Sequence, residues 1–168
     1  MNKQIKTVCA SIYEEPKFSS ELINQSLYLD SVLVVDSFKN WYLVEMYDGY
    51  RGWVHSFYLM DFMKNNYDYH LINTKFSNNK LANLSFGTSL PVKDKLEGRI
   101  KSLNPISDND WYSIKDFQFN NKRDEIIYYS NQLVGVPYLW GGRSSYGLDC
   151  SGLIQLVLKV ANIPFPRD

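Results

Sequence analysis

The first third of the chain alternates short apolar runs with turn residues. Stretches 7–10, 31–37, 41–46 and 50–55 are rich in valine, leucine and aromatic residues, and Asn40, Asp48 and Gly49 supply turn chemistry between them. Short strands at this spacing predict a small antiparallel β-barrel.

A weaker copy of the same pattern follows. Stretches 70–74, 84–92 and 99–102 have strand character, and residues 111–117 repeat residues 53–59 in placing a large apolar residue six positions after a tryptophan. We therefore predict a second barrel. The alternative is a single barrel with a long irregular linker, which ordinary loop lengths disfavour.

The polar stretch 120–124 marks a domain boundary, and a helix is predicted after it over 124–134. Acidic residues lie near its start, and Gly135 and Pro137 follow its end. Helical spacing assigns one set of residues to a common side: Ile126, Ile127, Ser130, Leu133 and Val134.

A second helix is predicted to begin near Cys150. Residues 153–161 are apolar except for Gln155 and Lys159, which lie one helical turn apart. A helix with one polar stripe is expected to be mostly buried, and Asn162 followed by Pro164 ends it. A buried strand is the alternative, but the run is long for a strand.

The position of Cys150 predicts a reactive thiol. In the first turn of a helix, free backbone N–H groups and the positive end of the dipole favour a thiolate. Asp149 is a candidate N-cap and Ser151 is available for local hydrogen bonds. The alternative, a buried structural cysteine, would be preferred if this residue stood alone.

The flanking residues reverse that preference because three blocks resemble a known family. Pro-Tyr-Leu-Trp-Gly-Gly at 137–142, Asp-Cys-Ser-Gly-Leu at 149–153 and Ile-Pro-Phe-Pro-Arg-Asp at 163–168 resemble the opening half of the NlpC family of papain-like cysteine peptidases, which cut bacterial cell-wall peptides. Asp-Gly-Tyr-Arg-Gly-Trp-Val at 48–54 is similar to the closing hairpin of a bacterial SH3 domain.

The resemblance implies roles for individual residues. Cys150 would be the nucleophile and Tyr138 would help to stabilise the oxyanion; core packing is the alternative for Tyr138 and Trp140, and a structural salt bridge is preferred for Arg167. Tyr50, in the SH3 hairpin, would close one end of the groove, with an exposed barrel tyrosine as the alternative. The other positions that would line the site or hold the free amino end of the peptide are Trp140, Asp149, Ser151 and Asp168.

The resemblance also implies that a part of the catalytic domain is missing. In this family the general base is a histidine on a strand downstream of the cysteine helix, whereas nothing follows Asp168 and the two histidines, His55 and His70, lie upstream. A thiolate–imidazole pair needs hydrogen-bond contact. We therefore expect negligible hydrolysis by this chain alone, a second polypeptide that supplies the missing half, and apolar helix faces that stay partly open.

Composition excludes several other classes of protein. With 18 basic and 18 acidic residues the formal net charge is zero, so charge gives no reason to expect nucleic acid or a membrane as a partner. Two cysteines are too few for a disulfide framework, and Cys9 is expected to be a small core residue of the first strand. No cluster has metal-ligand spacing and no cofactor is expected. No apolar leader or membrane span is evident, which predicts a cytoplasmic protein that acts on a recovered cell-wall peptide with a free N-terminus.

Together these observations predict an α+β protein. A bacterial SH3-like barrel occupies 1–61, a second one 62–119, and a C-terminally incomplete NlpC-type domain 120–168. The predicted function is cysteine-dependent cleavage of γ-D-glutamyl-diamino acid bonds. The alternative is a non-catalytic SH3-like module that binds cell-wall peptides or glycans and retains a relic peptidase segment.

Overall fold

The computed structural model describes residues 1–62, 70–71, 84–90, 112–113 and 119–167. The first of these ranges forms one sheet and carries a 3-10 helix at Ser56–Tyr58. Its seven strands are β1 (Asn2–Ile5), β2 (Cys9–Tyr13), β3 (Leu22–Leu27), β4 (Ser31–Phe38), β5 (Trp41–Glu45), β6 (Arg51–His55) and β7 (Leu59–Asp61).

All neighbouring strands of this sheet are antiparallel, in the order β3-β2-β6-β5-β4-β1-β7. The four predicted strands are confirmed as β2, β4, β5 and β6. The sheet does not close on itself, because β3 and β7 lie at opposite ends of the strand order and are not paired with each other. Strands β1, β3 and β7 were not predicted.

The hairpin between β5 and β6 has the predicted turn. The amide of Met46 donates to the carbonyl of Tyr50 at 2.9 Å, and the Asp48 carboxylate accepts from the Tyr50 amide at 3.1 Å. Gly49 has a positive φ of 81°, which glycine adopts without strain. Beneath the sheet lies a core of buried side chains from six strands and the turn after β5: Ile5, Ala10, Ile12, Val32, Val44, Met46, Val54 and Leu59.

Little of the predicted second barrel lies within the described residues. Three two-residue strands pair in the order β10 (Tyr112–Ser113), β8 (His70–Leu71) and β9 (Ser89–Leu90). Of the predicted strand 84–92, residues 84–90 are described; among these, residues 86–87 form a turn and only β9 is a strand. The predicted strand 99–102 lies outside the described residues. The second barrel and the domain bounds therefore stay predictions.

Both predicted helices are present: α1 (Lys122–Gln132) and α2 (Cys150–Val160). The predicted side of α1 is buried only in part: Leu133 from that set is buried, but Ile127 and Val134 are exposed, and Tyr129, which the set did not include, is buried. The side chain of Asn121 caps α1 by accepting from the Asp124 amide at 3.0 Å.

The orientation of helix α2 also differs from the predicted one, in which the apolar residues are mostly buried and the polar stripe is exposed. Gln155 is only 1% exposed, whereas Leu153 and Ile154 are 37% and 47% exposed. The polar stripe of α2 therefore faces the interior. The expectation of partly open apolar positions on this helix is met by Leu153 and Ile154.

A second core joins the two helices to other parts of the chain. It contains Leu27 from β3 and Phe86 from the 84–90 segment together with helix residues such as Tyr129, Leu156 and Val160. Gly87, with φ of 80°, lies so close to α2 that an added Cβ would be 2.5 Å from the Leu156 side chain. Within the described ranges, no helix is long and apolar enough to cross a membrane.

Candidate active site

A small hairpin and a tight turn place residues 138–142 beside the start of α2. Strands β11 (Arg143–Ser144) and β12 (Gly147–Leu148) form the hairpin, and Tyr138 makes a parallel β-bridge with Leu148. The turn closes through a hydrogen bond of 2.9 Å from the Gly142 amide to the Leu139 carbonyl.

The carbonyl of Gly142 then accepts from the Asp149 amide at 3.1 Å, so the turn is joined to the helix N-terminus. At Gly141 φ is 70°, and an added Cβ would lie 2.3 Å from the carbonyl oxygen of Leu22 in β3. This close approach requires glycine. The turn is therefore held against the edge of the SH3 sheet.

Cys150 is the first residue of α2, and its thiol is free and exposed. The predicted N-cap is confirmed, because Asp149 Oδ1 accepts from the Gly152 amide at 2.6 Å. The Ser151 hydroxyl donates to the same oxygen at 3.3 Å. An exposed sulfur at a capped helix N-terminus has the access that a nucleophile needs.

Asp149 is buried and its second oxygen is also engaged. Oδ2 pairs with the guanidinium of Arg167, which is itself 5% exposed and donates at 3.5 Å to the carbonyl of Ile23 in β3. The preferred interpretation of Arg167 as a structural salt bridge is confirmed. A substrate amine would therefore compete with Arg167 for the Asp149 carboxylate.

The predicted aromatic residues of the site lie at the surface. Tyr138 and Trp140 are 67% and 61% exposed, so the alternative of core packing is wrong for both. The indole Nε1 of Trp140 donates to Glu21 Oε1 at 2.6 Å, which directs this ring towards the SH3 domain. Tyr50 is half-buried and packs against the sheet core. Asp168 lies outside the described residues.

His55 is placed inside an aromatic cluster of the SH3 domain. Its ring centroid is 5.1 Å from that of Trp41 and 4.6 Å from that of Phe57, and its Nδ1 accepts from the Phe57 amide at 3.3 Å. The ring and the Nδ1 atom of His55 are thus engaged by Trp41 and Phe57. The side chain of His70 lies outside the described residues.

Cys9 lies in β2 and is half-buried against the helix core, as the sequence led us to expect of a small core residue. Burial raises the pKa of its thiol to about 12, although a hydrogen bond to Ser144 and the charge of Arg143 act in the opposite direction. The thiol of Cys9 is therefore protonated at neutral pH and a poor nucleophile.

The structure also assembles a buried polar cluster that the sequence analysis missed. Asp30 and Asp48, from two turns of the seven-stranded sheet, meet Arg143, Gln155 and Lys159 from the hairpin and helix α2. Burial alone would raise the pKa of the Asp30 carboxyl, but the charges of Lys159 and Arg143 outweigh burial and hold this pKa below its ordinary value of 3.8.

Two parts of the chain match models of known families. Residues 10–60 match the model of the bacterial SH3 domain, and residues 135–168 match that of the NlpC/P60 family. A crystal structure of an NlpC/P60 family protein from Bacillus cereus superposes with a TM-score of 0.77 at 20% identity, and covers all of this chain and 75% of that one. The resemblance and the α+β fold class predicted from the sequence are confirmed.

Two curated relatives carry the name γ-D-glutamyl-L-lysine dipeptidyl-peptidase. The protein from Bacillus cereus is 25% identical over an alignment of 178 residues, gaps included, that covers 89% of this chain and 54% of the relative. The protein from Bacillus subtilis is 33% identical over 92 residues, which cover 53% of this chain and 31% of the relative. The chain therefore matches about half of one relative and about a third of the other.

Proposed function

We propose that this chain, which joins a bacterial SH3 domain to an NlpC/P60 segment, carries the nucleophile of a peptidase that cleaves γ-D-glutamyl-diamino acid bonds in cell-wall peptides. The observation that carries the proposal is the position of Cys150, exposed at the start of a capped helix and beside the 138–142 turn. The names of the two curated relatives support the substrate class.

In the proposed reaction the Cys150 thiolate attacks the carbonyl carbon of the γ-D-glutamyl linkage. As the C–N bond breaks, the general base returns the proton that it took from the Cys150 thiol to the leaving amine of the diamino acid, and water then hydrolyses the thioester of the acyl-enzyme. The Tyr138 hydroxyl and a backbone N–H near Cys150 would stabilise the oxyanion, an interaction that is worth about 3–4 kcal/mol in well-studied cases. The exposure of Tyr138 leaves its hydroxyl accessible to a substrate.

The free amino end of the peptide would be held at the rim of the site. We propose that Trp140 and Ser151 line this end, together with Asp168 and with Tyr50 from the SH3 hairpin. Asp149 would contribute chiefly by holding the helix N-terminus, because both of its carboxylate oxygens are hydrogen-bonded within the protein.

We further propose that neither His55 nor His70 is the general base, so that the base is supplied by residues other than these 168. The ring of His55 packs among Phe18, Trp41 and Phe57 in the SH3 domain, which are aromatic contacts of a packed side chain. Without a proton acceptor, acylation of Cys150 by a peptide is expected to be negligible.

The experiment uses the purified chain with L-Ala-γ-D-Glu-diaminopimelate and with L-Ala-γ-D-Glu-L-Lys, and follows the products by mass spectrometry. We expect no turnover above background by the chain alone. Turnover on addition of a partner polypeptide, lost in Cys150→Ala and retained in Glu45→Ala, would support the proposal. Enzymatic turnover by the chain alone that Cys150→Ala abolishes would contradict the proposal that the base lies outside these 168 residues.

The aromatic cluster of the SH3 domain favours a second candidate function, the binding of cell-wall peptides or glycans without chemistry. Phe18 and Phe57 are 54% and 44% exposed and stack at a centroid distance of 5.9 Å, with Tyr13 and Trp41 beside Phe18. Exposed rings of this kind suit half-polar ligands.

The rate of Cys150 alkylation by iodoacetamide separates the two functions. A rate well above that of a free cysteine at neutral pH favours a preserved nucleophile, whereas the rate of a free cysteine favours a relic. Calorimetric binding of muropeptides that is lost in Phe18→Ala but kept in Cys150→Ala would favour the binding module.

A further inference from the structure

Helix α2 is attached to the SH3 domain by a cluster of five polar side chains, which we call the interface cluster: Asp30, Asp48, Arg143, Gln155 and Lys159. The side chains of the two aspartates are 9% and 1% exposed, that of Arg143 is 2% exposed and that of Lys159 is 18% exposed. Gln155 is 1% exposed. Polar groups buried to this extent need partners, because an unpaired buried charge costs several kcal/mol.

Asp48 makes the central contacts of the interface cluster. Its Oδ2 accepts from Arg143 at 3.1 Å and from Gln155 Nε2 at 2.9 Å, while its Oδ1 accepts from the Tyr50 amide. Gln155 in turn accepts from Arg143 at 3.3 Å. One carboxylate of the SH3 hairpin thus holds both the small hairpin and helix α2.

Asp30 makes the second attachment, farther along the helix. Its Oδ1 accepts from Lys159 Nζ at 2.9 Å, and its Oδ2 lies 3.8 Å from a guanidinium nitrogen of Arg143. Both carboxylates belong to the SH3 domain and both cations to the NlpC/P60 segment. The charges of the interface cluster therefore balance across the contact between the two segments.

The spacing along α2 connects this cluster to the thiol. Gln155 and Lys159 lie one turn apart on the face that meets the SH3 domain, and Cys150 and Ile154 lie one turn apart on another face. At 3.6 residues per turn, Gln155 is rotated by about 140° from Cys150. The contacts of Gln155 and Lys159 hold the helix at two points. They therefore determine the direction in which the exposed residues Cys150 and Ile154 point.

We propose that Asp30 and Asp48 are positioning residues for the nucleophile: by fixing helix α2 they set the orientation of the Cys150 thiol. A buried ionic cluster adds little net stability compared with apolar packing, but it specifies one arrangement of the two surfaces. This inference rests on the proposed function only in that Cys150 is taken as the nucleophile.

The test compares the alkylation of the two cysteines in the full chain, and mass spectrometry assigns the rate to each thiol. The variants are Asp48→Ala and Lys159→Met, with Lys159→Arg as the conservative replacement. Glu45→Ala is the matched control, because Glu45 forms an exposed ion pair with Arg51 in the same domain. Alkylation of Cys9, which packs at the contact between the segments, reports on opening of that contact.

We expect Cys150 to react about three- to fivefold more slowly at pH 7 in Asp48→Ala and Lys159→Met, since the effect of the helix N-terminus depends on orientation. Lys159→Arg and Glu45→Ala should match the wild type, and Cys9 should stay unreactive in every variant.

An unchanged rate at Cys150 in both cluster variants would overturn the proposal, as would a failure of Lys159→Arg to match the wild type. A parallel rise in Cys9 alkylation would also overturn it, because the cluster would then serve only to keep the segments together. If wild-type Cys150 reacted no faster than a free cysteine while the variants still differed, the proposed function would fail and the positioning role would stand.

Discussion

Replacing Gly152 by alanine gives the most direct test of the packing around the candidate nucleophile. Alanine within a helix normally stabilises a protein by about 1 kcal/mol relative to glycine. At this position, however, an added Cβ would lie 2.0 Å from the carbonyl oxygen of Gly142, 2.9 Å from Asp149 Oδ1 and 3.0 Å from a guanidinium nitrogen of Arg167. Gly152→Ala should therefore destabilise the protein instead of stabilising it.

The expected magnitude follows from the atoms that must move. Overpacking costs about 1–3 kcal/mol. The Gly142 oxygen accepts the Asp149 amide, and a shift of this oxygen weakens a hydrogen bond that contributes about 1 kcal/mol. After the helix propensity of alanine is subtracted, Gly152→Ala should lower the free energy of unfolding by about 1–3 kcal/mol.

Urea unfolding followed by circular dichroism measures this difference. Ser151→Ala is the control, since it lies in the same helical turn and loses only one long hydrogen bond of 3.3 Å. Its unfolding free energy should change by about 0.5 kcal/mol or less. If Gly152→Ala were as stable as the wild type, the described contact between the turn and the helix would be refuted.

Three other predictions concern ionisable groups. Asp30 has a folded-state pKa below its ordinary value, so its contribution to stability is present above pH 3.8 and is lost as the pH falls through the folded pKa; in acid titrations Asp30→Asn should show a shallower loss. Iodoacetamide at pH 8 should label the exposed Cys150 and leave Cys9 unmodified, because burial raises the pKa of Cys9 to about 12; equal labelling in a mass spectrum would contradict this. Arg167→Met should destabilise the fold by about 3–5 kcal/mol in thermal or urea unfolding, because it leaves the buried Asp149 carboxylate without its cation, and Arg167→Lys should recover part of that loss.

The features that the sequence predicted correctly depend on neighbouring residues. The turn at Asp48 and Gly49 and the cap at Asp149 arise from side chains that bond the adjacent backbone. Because such interactions involve only a few neighbouring residues, they can be predicted without knowing which surface packs against them.

Strand β3 was missed because its polar residues are buried. Asn24, Gln25 and Ser26 have exposures of 0%, 7% and 1%, which no alternation of apolar and polar positions indicates. For Gln25 the reason is tertiary, because its Oε1 accepts from the backbone amide of Arg143 at 2.9 Å. A strand that lies between two segments can satisfy polar groups that an isolated sheet would expose.

The orientation of α2 was mispredicted for a related reason. Periodicity placed Gln155 and Lys159 on one face, but the assignment of that face to the interior depends on Asp30 and Asp48, which lie more than a hundred residues earlier. Helical spacing shows which residues share a face, and only the facing surface determines which face is buried.

The side chain of Leu27, the last residue of β3, packs in the core formed with the two helices, and Leu27 is 1% exposed. If this sheet were joined to an unrelated catalytic segment, the Leu27 side chain would be exposed to water. The core around the two helices would contain a cavity if its own sheet were replaced. We therefore expect the two segments to have evolved together. A chimera in which either segment is replaced should misfold unless the residues that pack around Leu27 are transferred as well.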